Sequence, residues 1–162
     1  MMPQLKPATL ATIFSEILAS LAFMFTEEEA TQDSPEATWI ETSIAYQGSV
    51  RGSLRFRCSR EFAVQLAANL LGLDPLDDEA RRAAEDAVKE FMNILCGQFV
   101  TAVHGTRDVF NLTIPEIVEL PQMPNMDLAD TAVSSTLCVD GYRVQVVYEP
   151  DGGSPSGSLT GE

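Results

Sequence analysis

One uninterrupted helical pattern, running from Asp77 to His104, limits what this chain can fold into more than any other feature. Pro75 precedes it, and Asp77 or Asp78 is placed to accept the free amide hydrogens of the first turn. Arg81 with Glu85 and Arg82 with Asp86 are four apart, so each pair can meet on the helix surface. His104 falls in the last turn and Gly105 just past it, a combination that ends helices. At 1.5 Å per residue the segment is roughly 40 Å long. That is long for a chain of 162 residues, a length that fits one domain.

The pattern has two faces. Ala80, Ala84, Ala87, Phe91, Leu95 and Phe99 recur at threes and fours and form a core face. Asp86, Glu90, Asn93, Gly97 and Thr101 follow one another at four, three, four and four. At 100° per residue these five lie within about 80° of each other. A carboxylate and a carboxamide therefore stand side by side on an exposed ridge, and Gly97 leaves an opening one turn on. A merely solvated face favours Lys, Glu or Ala over Gly97, because glycine costs ~1 kcal/mol inside a helix.

The remaining elements alternate around this helix. Residues 8–25 carry Leu10, Ile13, Phe14, Ile17, Leu18, Leu21 and Met24 at helical spacing, and the acidic run 26–35 reads as a loop. Ile40, Thr42, Ile44 and Tyr46 alternate with Glu41, Ser43 and Ala45. Beyond Gln47-Gly48, Val50, Leu54, Phe56 and Cys58 point inward, while Arg51, Ser53, Arg55 and Arg57 point outward. This is a hairpin with one wet face, its arginines covering the sheet beside Glu41. Ser59 caps a short helix that Gly72 closes. Residues 111–119 contain Pro115 and form at best an edge or interrupted strand. Residues 120–130 read as a loop, and 131–139 and 142–149 flank the hairpin turn Asp140-Gly141. The prediction is an α/β (α+β) domain over residues 1–150, with an antiparallel sheet packed by long helices. Residues 151–162, rich in Gly, Ser and Pro, are expected to be a disordered tail.

Charge and cysteine usage exclude several functions. Ten basic residues stand against 24 acidic ones, for a net charge of −14. Such a field repels nucleic acid and anionic membranes, which need a basic patch. The excess of acid supports solubility or steers a partner with a basic face. The three cysteines, Cys58, Cys96 and Cys138, are far apart and include no CxxC, which argues against a disulfide framework or a zinc site. With His104 as the single histidine, a Ser-His or Cys-His arrangement is not expected. A reduced cytoplasmic compartment fits best. The apolar segment 10–25 has Glu16 at its centre and no charged n-region, so it reads as a core helix and not as a signal or membrane segment.

The run Glu90-Phe91-Met92-Asn93-Ile94-Leu95-Cys96-Gly97, followed by Leu112-Thr113-Ile114-Pro115 and a terminal hairpin, resembles the Glu-x-x-Asn helix of the CheC/CheX/FliY phosphatases. The resemblance covers most of residues 5–149 and leans to the CheX-like branch. That family dephosphorylates a CheY-like response regulator and has a pseudo-twofold fold of helix–hairpin repeats. The resemblance implies that Asn93 orients the attacking water and that Glu90 pairs with the active-site lysine of the phosphorylated partner. Apart from the resemblance, the opening at Gly97 reads as a gap that lets the receiver's loops approach, with Asp86 and Thr101 as further partner contacts on that face. No cofactor or metal of the chain's own is expected, since Mg2+ would belong to the receiver domain. Pairing of two copies through sheet edges is also implied. The rival reading is a non-enzymatic module that binds a receiver or another signalling protein.

Within the chain, Glu16-Ile17-Leu18-Ala19-Ser20-Leu21 can be set beside Glu90-Phe91-Met92-Asn93-Ile94-Leu95, and Gly48 beside Gly141. The glutamates align, but Ala19 replaces the asparagine and Phe23 replaces Gly97. Thr12, Glu16, Ala19 and Phe23 would then form the same stripe as a dead copy. The Phe23 ring would fill the partner's space, and Phe23→Gly would cost stability as a glycine within a helix.

Overall fold

The computed structural model describes residues 7–122, 124 and 133–150. The expected loop 120–130 and the start of the strand expected at 131 lie largely outside the described residues, and the expected tail lies wholly outside them. The described elements are, in order, α1 (Pro7–Ala22), β1 (Thr26–Glu27), β2 (Trp39–Gln47), β3 (Arg51–Ser59), α2 (Arg60–Leu71) and α3 (Asp78–His104). They are followed by β4 (Asn111–Leu112), β5 (Glu116–Leu120), β6 (Val133–Val139) and β7 (Tyr142–Pro150).

Alternation along β2 and β3 gives the sheet one apolar face. Ile40, Thr42, Ile44 and Tyr46 are buried, as are Leu54, Phe56 and Cys58. The seven strands pair antiparallel in the order β1-β6-β7-β3-β2-β4, with β5 also on β2. The two hairpins β2–β3 and β6–β7 meet through β3 and β7 at the centre. α1 precedes the first hairpin but packs on β6 and β7, and α3 precedes the second but packs on β2. Each helix thus covers the other half's hairpin, which is the pseudo-twofold arrangement expected from the sequence.

The core closes around Phe56 of β3. Its ring centroid lies 5.2 Å from that of Phe14 on α1, 5.7 Å from Phe91 on α3 and 5.8 Å from Phe62 on α2. Three helices and the sheet therefore share one aromatic cluster, and removing Phe56 opens a cavity between all of them, at a cost of about 3–5 kcal/mol. On the opposite face Arg57 Nε donates to Glu41 at 2.6 Å and Arg55 donates to Glu149 at 2.9 Å. The outward arginines cover the sheet, as expected.

Several local expectations are corrected. α1 ends at Ala22 and does not reach 25, because Phe23 takes a left-handed φ of 55° while its N–H donates to Ala19 O. The acidic run is not loop throughout, since Thr26 and Glu27 pair with Val139 and Cys138. Asp77 is the N-cap of α3 but its side chain makes no cap hydrogen bond; its carbonyl accepts from Ala80 and Arg81. Neither Arg81–Glu85 nor Arg82–Asp86 closes as an ion pair. Arg60 at the start of α2 instead reaches Glu85 at 2.8 Å, a tertiary contact that helical spacing cannot reveal. Other ends follow the sequence closely. Ser59 Oγ accepts from Phe62 N, Gly72 is left-handed at φ 71°, and Gly105 donates to Thr101 O. Around Pro115 the strand breaks into β4 and β5, both on β2 at one margin of the sheet.

Candidate functional site

α3 carries the candidate residues on a backbone fixed from below. Ala80, Ala84, Val88, Phe91, Met92, Leu95, Cys96, Phe99 and Val100 are all buried, so the opposite stripe is held outward. Arg60 anchors the helix through Glu85. At its far end His104 Nε2 lies 2.9 Å from Tyr46 Oη, which is 3.1 Å from Tyr148 Oη.

Asp86, Glu90, Asn93 and Thr101 are exposed and Gly97 is half-buried, so the structure brings all five together on one ridge. Among the described residues the side chains of Asp86, Glu90, Asn93 and Thr101 have no hydrogen-bond or ion-pair partner. Their polar atoms are free for a second molecule. A Cβ built on Gly97 would meet nothing within 4 Å. Beside the ridge lies a shallow depression of about 480 Å³ lined by Asn93, Ile94, Gly97, Gln98, Thr101 and Ala102. Ile94, Gln98 and Ala102 escape the four-three-four spacing because each lies one position beyond a stripe residue, on the flank of the ridge.

The stripe on α1 is only partly comparable. Thr12 and Glu16 are exposed and Ala19 is half-buried, but Phe23 lies beyond the helix end with 70% of its surface exposed. It therefore does not stand where Gly97 stands.

Neither buried thiol serves as a nucleophile. Burial pushes the Cys96 thiol up to about 12 and raises Cys58 further, against the opposing charge of Arg60. A thiol so far from ionisation is inert at neutral pH. Among the described residues no group of three or more His, Cys, Asp or Glu side chains could hold a metal ion. Likewise no described helix is long and apolar enough to cross a membrane. What the ridge can do is offer a carboxylate and a carboxamide, rigidly spaced, to a group brought by a partner.

The model of the family described as chemotaxis phosphatase CheX matches residues 40–134, more than half of the chain and all of the candidate stripe. Among solved structures, a chemotaxis protein CheX from Desulfovibrio desulfuricans is 16% identical with a TM-score of 0.64, over 87% of this chain and 95% of that one. The CheX–CheY–BeF3–Mg2+ complex from Borrelia burgdorferi matches at 22% identity and a TM-score of 0.61, over 87% and 94%. FliY from Thermotoga maritima matches at 14% identity and a TM-score of 0.53, over 85% and 83%. None of the curated proteins matches.

Proposed function

Because this chain belongs to the chemotaxis phosphatase CheX family, we propose that it hydrolyses the aspartyl phosphate of a CheY-like receiver domain. The observation that carries this reading is the pairing of Glu90 and Asn93, exposed and without partners among the described residues, on a helix whose other face is locked into the core.

A phosphorylated receiver already brings a metal ion and a lysine to bear on its phosphoryl group. What it lacks is a held water. The Asn93 carboxamide supplies one acceptor and one donor, enough to hold a water in line with the P–O bond to the aspartate. No strong base is needed, since phosphoryl transfer depends on alignment and electrostatics with little early proton removal. Water oxygen forms the new bond to phosphorus, the aspartate carboxylate leaves, and inorganic phosphate carries away the protons of the water. Glu90 pairs with the receiver's lysine and sets the depth to which α3 enters. Asp86 and Thr101 flank this contact. The chain acts in the cytoplasm, where its substrate is made. Two copies pair through the sheet edge at β5, where Val118 is exposed, as is Ile114 just before the strand.

The experiment is to add the chain to phosphorylated CheY-like receivers and follow phosphate release, with Asn93→Ala beside it. Release that depends on Asn93 supports the reading. Tight binding without release would replace it with a receiver-binding module.

A further inference from the structure

We infer that the depression beside Asn93 is a seat for one apolar side chain from the receiver loop that flanks the phosphorylated aspartate, and that Gly97 keeps this seat open. The inference rests on the receiver-docking part of the reading above and adds to it a determinant of partner choice.

Gly97 lies well inside a helix of 27 residues, where glycine is among the least favourable choices. The fold gives no reason for it. A Cβ there would touch nothing within 4 Å, whereas at Gly48 and Gly52 it would collide with Phe110 and Tyr46. Its φ is not among the positive ones, which the described glycines keep for Gly72, Gly105 and Gly141. Alanine would therefore fit and strengthen the helix, and what alanine would change is the space above position 97.

That space is continuous with the candidate site, since Asn93 itself lines it. Its lining is mostly apolar, through Ile94, Gly97 and Ala102, with Asn93, Gln98 and Thr101 as the polar members. An apolar lining with polar groups among it suits an apolar side chain better than water. No described side chain of this protein occupies it. A partner that presents a phosphoryl group to Asn93 brings the segment next to its phosphorylated aspartate against this lining, and that segment is the occupant.

The test uses the full chain and a CheY-like receiver loaded with beryllofluoride and Mg2+ as the probe, with Gly97→Ala and Gly97→Leu compared with the native chain. Both variants should melt at a higher temperature than the native protein. Affinity for the loaded receiver should fall slightly for Gly97→Ala and tenfold or more for Gly97→Leu, and with the phosphorylated receiver as substrate the loss should lie in KM, with kcat at saturation kept within a few-fold. A Gly97→Leu chain that binds as the native chain does would overturn the inference. So would a variant that melts lower, because the space would then not be open. If the native chain binds the loaded receiver but releases no phosphate from a phosphorylated one, the phosphatase reading fails while the affinity comparison still decides the role of Gly97. A native chain that does not bind the receiver removes both.

Discussion

His104 at the end of α3 and Tyr46 on β2 are joined by a contact of 2.9 Å between Nε2 and Oη, which ties the free end of the site helix to the sheet. Phe110 packs against both rings, with centroids 5.6 Å from Tyr46 and 5.5 Å from His104. Burial lowers the affinity of His104 for its proton, against the opposing pull of Asp108. The folded value therefore lies below the unfolded one of about 6.5, so the unfolded chain takes up the proton first. The stability contributed by neutral His104 is full above that unfolded value and is lost as pH falls towards the folded one. Melting curves of the native chain and His104→Gln should be well separated above the unfolded value of about 6.5 and converge as pH falls below it. A gap that widened on acidification would refute this.

Two glycines should respond to alanine with opposite signs. At Gly52 a Cβ would meet the ring and hydroxyl of the buried Tyr46, so Gly52→Ala should cost about 1–3 kcal/mol. At Gly97 it meets nothing, so Gly97→Ala should add about 1 kcal/mol. Denaturant titrations of both variants check this pair directly.

Phe23 presents a bulky, largely exposed residue in a left-handed backbone. Phe23→Gly should therefore raise stability by about 1 kcal/mol, the reverse of what a mid-helix position would give. Glu16→Ala, on the exposed face of the same α1, should leave phosphatase activity intact. If Glu16→Ala abolished activity in a folded chain, α1 would not be the inactive half.

Self-association should use the edge at β5. Val118→Lys on that edge should shift sedimentation towards the monomer mass of 17.6 kDa, while the net charge of −14 makes the native pair tighter at higher salt. A native chain that stays monomeric across a salt series would contradict this.

Much of this architecture was legible from periodicity, because burial imposes it. The core face of α3, the alternation of β2 and β3, and the caps at Ser59, Gly72 and Gly105 follow from local rules that tertiary contacts did not override. The candidate ridge was legible for the same reason, since positions 86, 90, 93, 97 and 101 can share a face only on a helix. What escaped depends on neighbours distant in the chain. Glu85 had a helical partner four residues away but bonds to Arg60, and Asp77 caps α3 through its carbonyl alone. The end of α1 is set by Asn69 Nδ2 donating to Ala22 O and by burial of Met24, neither of which leaves a trace in the spacing. The extension of the site to Ile94, Gln98 and Ala102 required the shape of the surface as well as the angle around the helix.

In the proposed division of labour Asn93 holds the attacking water while Glu90 holds the partner. The most direct measurement of this division is the rate of phosphate loss from a phosphorylated CheY-like receiver with the native chain, Asn93→Ala and Glu90→Ala at saturating and limiting concentrations. Asn93→Ala should lower the saturated rate by about 10²-fold or more while remaining folded, the scale for one lost positioning group. Glu90→Ala should weaken complex formation by about 2 kcal/mol. Equal saturated rates for the native chain and a folded Asn93→Ala would contradict the account.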